Sequence, residues 1–271
     1  MDLRRAVKKT LAYSAFFKFP LSPQETHFWL ISPRPISFSS SKKYFPVLKQ
    51  KDNKIREALL KNTLNKKKLA TKFIRTARFL PGIRLIALTG SVAANNSKKN
   101  DDLDLLIVTS PHSVWLVRPL LLLLLSLKFN RRHPGDNPTK TQNAFCPNLW
   151  IDTLSLSVPK KRRNLYTAHE VLQIKPLLNR GQTYQHFLKS NHWTRHFLAN
   201  AYKKLQQGKL KKQRINPLIY LIAPINFFLF LLQYLYMLPK KTSEVVSLHS
   251  AYFHKKDFSS LLHTYLRDKS L

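Results

Sequence analysis

Acidic side chains are what this chain lacks most. Thirteen Asp and Glu stand against 47 Lys and Arg in 271 residues, a formal net charge of +34. A balance that far from neutral predicts attraction to polyanions, either nucleic acid such as RNA or an acidic membrane face. Cysteine is nearly missing as well. Cys146 stands alone, which excludes an internal disulfide and a thiolate metal cluster and suits a reducing, cytoplasmic setting. Internal repeats and low-complexity tracts are absent apart from one run of leucines. The His-Glu-x-x-His zinc signature is absent too, because His169-Glu170 is followed by Gln173 where the second histidine belongs. No small-residue cleavage site follows the basic and then apolar residues 1–17, which read as a helix of the folded chain. The length allows one large domain or two small ones with ample core.

Scarcity makes the placing of the acids informative. Three of the 13 fall within Asp101–Asp104. Just upstream, the apolar run Ile83–Leu88 ends in Thr89-Gly90-Ser91, and after a gap of ten residues Asp102-Leu103-Asp104 opens a second apolar run, Leu105–Val108. Runs of this length with β-branched residues and turn-type ends predict buried strands. Alternation along a strand puts Asp102 and Asp104 on one face and Leu103 on the other. Paired carboxylates repel each other unless a cation sits between them, and oxygen-only ligation suits Mg²⁺. Gly90 lets backbone approach a ligand closely, and a helix starting there points N–H groups at phosphate.

A Gly-Ser turn, a gap of about ten residues and Asp-x-Asp between apolar residues resemble the nucleotidyltransferase superfamily of DNA polymerase beta. The resemblance rests on about 20 residues. It implies an α+β fold with a polymerase-beta-like core of mixed sheet and helices. It also implies Mg²⁺-dependent transfer of a nucleoside monophosphate from an NTP to an acceptor, with a two-metal site. Thr89, Gly90 and Ser91 would then bind nucleotide, and Asp102 and Asp104 would hold metal. The family carries a third carboxylate on a neighbouring strand. In the strand predicted at residues 145–156, alternation groups Asn148, Trp150 and Asp152 on one face. Asp152 is therefore the candidate third acid for catalysis and metal, with Asn148 as the alternative occupant. An asparagine cannot act as a base and ligates only through its carbonyl.

The remaining chain divides around that core. Residues 1–50 read as a helical, possible winged-helix-like module, with a helix over 2–18, a capping box at Ser22-Pro23-Gln24-Glu25 and a short strand at 44–48. Residues 51–82 form a connecting basic helix, 83–160 the nucleotidyltransferase core, and 161–271 an α-helical region. Within the core, Val114–Lys128 contains six consecutive leucines and reads as a buried helix on the sheet. Arg131-Arg132, on the following loop, are candidates for steering phosphate. Glu170, on a helix over 165–178, could pair with a nearby arginine or reach the site, and the structural ion pair is the favoured role. Aromatic residues between 184 and 202, with basic residues among them, read as a core stripe rather than a stacking platform. Residues 208–214 are a charged linker. Residues 215–238 are long enough to span a bilayer, which needs about 20 residues. Asn216, Asn226, Gln233 and two prolines favour a buried helix over a membrane anchor. A helix pair is expected over 242–266. The alternative functions are a non-catalytic nucleic-acid-binding protein on the same fold and a membrane-associated protein anchored by residues 215–238.

Overall fold

The computed structural model describes residues 2–269 except 134, 138–140, 207, 209, 212–216, 241–243 and 254–257. Lys212, Asn216, Lys241 and most of the expected linker lie outside the described residues.

Helices α1 (Leu3–Phe16), α2 (Pro23–Phe28) and α3 (Phe38–Ser41) lead to the long basic α4 (Gln50–Ala77). The core follows as β1 (Ile83–Leu88), α5 (Gly90–Ala93), β2 (Leu103–Thr109), α6 (Val114–Lys128) and β3 (Phe145–Asp152). Then come α7 (Leu165–Gln173), β4 (Lys175–Asn179), α8 (Thr183–Ser190), α9 (Ala199–Leu205) and α10 (Ala223–Met237). A hairpin, β5 (Val245–Ser247) and β6 (Ser250–Tyr252), precedes α11 (Phe258–Asp268). The fold is α+β, with helices at both ends of the chain around one mixed sheet ordered β4-β1-β2-β3-β6-β5. Only β2 and β3 run parallel among its pairs, joined by the crossover through α6.

Alternation in β1 and β2 fills both faces. Ile86, Leu88, Leu103, Leu105 and Ile107 pack with Phe73 of α4 and with Trp115 and Leu121 of α6. Leu85, Ala87, Leu106 and Val108 pack on the other side with residues of α7, α8 and α9. The expected aromatic stripe belongs to this second core: Phe187 and Trp193 are buried in it, and Tyr184, Phe197 and Tyr202 pack against it. The capping box forms, with Glu25 N donating to Ser22 Oγ at 3.2 Å and Ser22 N to Glu25 Oε2 at 2.8 Å. Arg56 of α4 then pairs with Glu25 at 2.7 Å, fastening the first helices to the connecting one.

Four expectations are corrected. Residues 44–48 are not a strand: a 3-10 turn at Lys42–Tyr44 gives way to irregular chain around Pro46, which has no N–H for a ladder. The helix over 165–178 stops at Gln173, because Pro176 biases Lys175 towards extended backbone. Lys175–Asn179 instead becomes the sheet edge beside β1, a place where proline is tolerated. The first half of the expected C-terminal helix pair is the β5–β6 hairpin, whose β-branched Val245-Val246 favour a strand. Finally, α10 is not a buried helix. Asn226 is its one buried residue, and Phe227, Phe228, Leu232 and Leu235 are exposed.

Candidate functional site

Asp102 precedes β2 and Asp104 is its second residue, and both side chains face the α7 side of the sheet. Their carboxylate oxygens lie within 4.8 Å of each other and of Cys146 Sγ, which comes from the paired position on β3. Asp102 accepts from Arg132 Nη1 at 2.5 Å. Asp104 accepts from Asn148 Nδ2 at 2.5 Å. The turn after β1 closes over this pair. Gly90 has φ +58°, and a Cβ built there would stand 2.6 Å from Asp104 Oδ2, so only glycine fits. Thr89 N donates to Asp104 O at 3.0 Å, locking the turn to β2, while Thr89 Oγ1 is buried without a partner among the described residues. Gly90, Ser91, Asp104, Arg132 and Asn148 share one cavity of about 1130 Å³.

Burial is the main force on Asp104 and raises its carboxyl well above the usual range. The charges of Asp102 and Glu170 push the same way, against Arg132. Burial also pushes the Cys146 thiol up, helped by both aspartates, so it stays a neutral thiol and not a thiolate ligand. The donors suited to a hard cation are thus the two carboxylates and the Asn148 carbonyl. Asn148 Oδ1 is buried with no partner among the described residues, on a side chain whose Nδ2 already donates to Asp104. This donor set fits Mg²⁺, with solvent or phosphate oxygens completing the coordination.

Asp152 is not part of this cluster. The β2–β3 register runs Leu105↔Pro147 and then Leu106↔Leu149, so Asn148 is an extra residue bulged out of the ladder. A bulge shifts the alternation by one. Asn148 therefore shares the Asp104 face, whereas Trp150 and Asp152 pass to the opposite face, where Trp150 joins the core under α6. Asp152 pairs with Thr109, five residues along β2 from Asp104, or about 16 Å away at strand rise. There it is fully buried and saturated. It accepts from His112 N at 3.0 Å, Leu154 N at 3.0 Å and His249 Nδ1 at 2.7 Å. The strict two-residue period groups Asn148 with Asp152, and the bulge separates them.

Glu170 turns out to line the same cavity from α7 and has no ion pair among the described residues. Burial pushes its carboxyl up to about 7. Its neighbour His169 is held neutral by burial, pushed down to about 3, and stacks on Tyr13 of α1 at 3.8 Å. The only sequence signal for Glu170 is its rarity as an acid in a basic chain. Lys66 of α4 supports the loop before Asp102, its Nζ donating to Lys99 O and Asn143 Oδ1, both at 3.0 Å.

No protein-family model matches the chain, and no curated protein matches it either. Among solved structures, one described as "Crystal structure of the toxin-antitoxin with AMP-PNP" is similar, at 19% identity over 52% of this chain and 90% of that one. Its TM-score of 0.25 is too low for that likeness to carry an argument, so the reading of the site rests on its own geometry.

Proposed function

We propose that the chain is an Mg²⁺-dependent nucleotidyltransferase that moves a nucleoside monophosphate from an NTP to an acceptor. The observation that carries this is the meeting of Asp102 and Asp104 beneath a turn that only Gly90 can form, with Asp104 lining a cavity large enough for a nucleotide. Asp102, Asp104 and the Asn148 carbonyl would hold Mg²⁺, in one or two positions. Bound there, the ion supplies Lewis-acid neutralisation of phosphate charge. Ser91 and the N–H groups opening α5, which have no intrahelical partners, would be available to the polyphosphate. Arg132, held on Asp102 at 2.5 Å, is the cation placed to exchange that carboxylate for a phosphate oxygen.

Asp152 has no place in this scheme. The carboxyl that replaces it is Glu170, able to accept a proton near neutral pH from an acceptor hydroxyl. A non-catalytic polyanion-binding protein remains the second reading, favoured by the charge of +34 and because β3 brings Cys146 and Asn148, not an acid, to the Asp102 and Asp104 cluster.

Label transfer separates the two readings. The chain is incubated with each α-labelled NTP, Mg²⁺ and a mixed pool of RNA and protein, beside the Asp102→Ala/Asp104→Ala variant. Label on one acceptor class, only with the aspartates intact, establishes the transferase and its acceptor. RNA retained without transfer from any NTP gives the chain to the second reading.

A further inference from the structure

α10 is built inside out. Its polar residues Asn226 and Gln233 are seven apart, hence on one helix face, and both turn inward to α6. Asn226 Oδ1 accepts from Trp115 N at 2.8 Å. Gln233 Nε2 donates to Trp115 O at 2.7 Å, and its Oε1 accepts from Arg118 Nη1 at 2.9 Å. Leu229, Phe230 and Met237 pack against the core from the same face. The opposite surface is apolar and uncovered, with Ile225, Phe228, Leu232 and Leu235 repeating at helical spacing and each half or more exposed. α6, the helix it packs on, has an exposed apolar side of its own. Its Leu121 and Leu125 face the sheet, while Leu120, Leu123 and Leu127 are exposed, Leu127 at 74%. The six-leucine run is therefore apolar on all sides because it serves two surfaces. Soluble monomers rarely expose a contiguous apolar patch beyond about 300–600 Å².

The geometry points to a bilayer surface rich in acidic lipid as the partner of this face. α6 and α10 would lie in the membrane plane, their outer side chains among the acyl chains and the basic body against the headgroups. Two observations choose lipid over protein. Ile219–Met237 is, among the described residues, the one helical stretch long and apolar enough to cross a membrane. A net charge of +34 attracts an anionic surface and repels a second copy of this chain. The helix lies flat instead of spanning, because its bonds to Trp115 and Arg118 tether it to α6, and α6 is fixed on the sheet. Lys128, exposed next to Leu127, is placed to reach the headgroups. Tyr236 and Met237 at the end of α10 also line the cavity, so docking brings its mouth to the membrane.

Flotation tests this with the full chain and vesicles of phosphatidylcholine alone or mixed with phosphatidylserine. The chain should float with the mixed vesicles and bind phosphatidylcholine alone at least about tenfold more weakly. Phe228→Glu/Leu232→Glu and, separately, Leu123→Glu should each lower the bound fraction about tenfold or more, since a carboxylate is costly among acyl chains. These side chains are exposed, so both variants should keep the thermal melt of the parent. Asp104→Ala should float like the parent, which keeps the outcome separate from that of the transferase assay. The proposal is overturned if the chain ignores the mixed vesicles or if the charged variants float undiminished. It is equally overturned if sedimentation shows a dimer that those variants split.

Discussion

At one end of the β2–β3 pair, Asp104 faces a cavity with a neighbouring carboxylate, an amide and a neutral thiol for company, and burial holds its carboxyl up. At the other end, Asp152 is fully buried yet accepts three hydrogen bonds, two from backbone N–H groups and one from His249. The two aspartates sit on paired strands, Asp104 half-buried and Asp152 fully buried. Their surroundings differ in whether the charge is answered. A buried carboxylate with its lone pairs filled holds structure together; one kept short of partners beside a second carboxylate is poised for a cation or a proton. Asp152 staples the loop before α6 to the β5–β6 turn, and Asp102 and Asp104 wait at the cavity.

Substitution at the two ends should break this comparison if it is wrong, and the largest effect is expected at Asp104. Asp104→Ala should lower NTP turnover by more than the roughly 10–100-fold typical of residues supporting a metal ligand, with an unchanged circular dichroism spectrum. Turnover like that of the parent would remove the catalytic assignment. Gly90→Ala should approach the same loss without touching a carboxylate. Its Cβ would crowd Asp104 Oδ2 at 2.6 Å, and φ +58° strains any other residue. Glu170→Gln should lower kcat by about 10²-fold while leaving the KM for NTP within a few-fold, as loss of a proton acceptor does. An equal rise in KM with no change in kcat would make Glu170 a binding group instead.

The opposite end sharpens the contrast through stability. Asp152→Asn removes the charge that three donors converge on and should cost about 1–3 kcal/mol in a denaturant melt. Its Mg²⁺-dependent activity, assayed well below the melt, should stay within about twofold of the parent, because the bulge puts Asp152 on the other face of the sheet. A specific loss of activity with unchanged stability would reverse the roles given to the two ends.

The residues that pointed to the site in the sequence were those with few conformational alternatives. Gly90, Asp102 and Asp104 lie within one strand–turn–strand unit, and local period and turn chemistry suffice to bring them together. The α+β class came from the family resemblance that these residues carry. Asp152 failed for a reason invisible in composition: one unpaired residue, Asn148, resets the alternation, and no residue type announces a bulge. For Glu170 the ion pair was favoured over a place at the site, because that place depends on how α7 packs across the sheet, a contact far apart in sequence. Pro176 carries its own signal, since it disfavours helix at Lys175 and so marks the end of α7 and the start of β4. The exposed side of α10 was misjudged because the sequence shows how apolar a helix is but not what covers it. Its Asn226 and Gln233 argued for burial in protein; in the structure they bind α6 and leave the apolar side bare.

The smallest expected effect is also the most diagnostic, because it reads the unanswered charges without any assay of turnover. In the unfolded chain, Asp104 and Glu170 ionise near pH 4. In the folded chain both are held higher, Glu170 at about 7, chiefly by burial. Between those values the folded state keeps protons that the unfolded state has released, so stability is greatest below about pH 4 from these two groups and falls as pH rises towards 8. Glu25 works in the opposite sense. Arg56 and Ser22 lower its carboxyl despite burial, so its contribution is present near neutral pH and lost in acid. Raising the pH from about 5.5 to 8 should therefore lower Tm by a few degrees, about 2–4 °C per kcal/mol for a chain of this size. Millimolar Mg²⁺ should restore it at pH 8 and do little at pH 5.5, because the ligands must be deprotonated to bind. Asp104→Asn combined with Glu170→Gln should flatten the slope and abolish the Mg²⁺ effect. Asp152→Asn should lower the whole curve and keep its slope. A slope that instead vanished with Asp152 would place the unanswered charge at the wrong end of the strands.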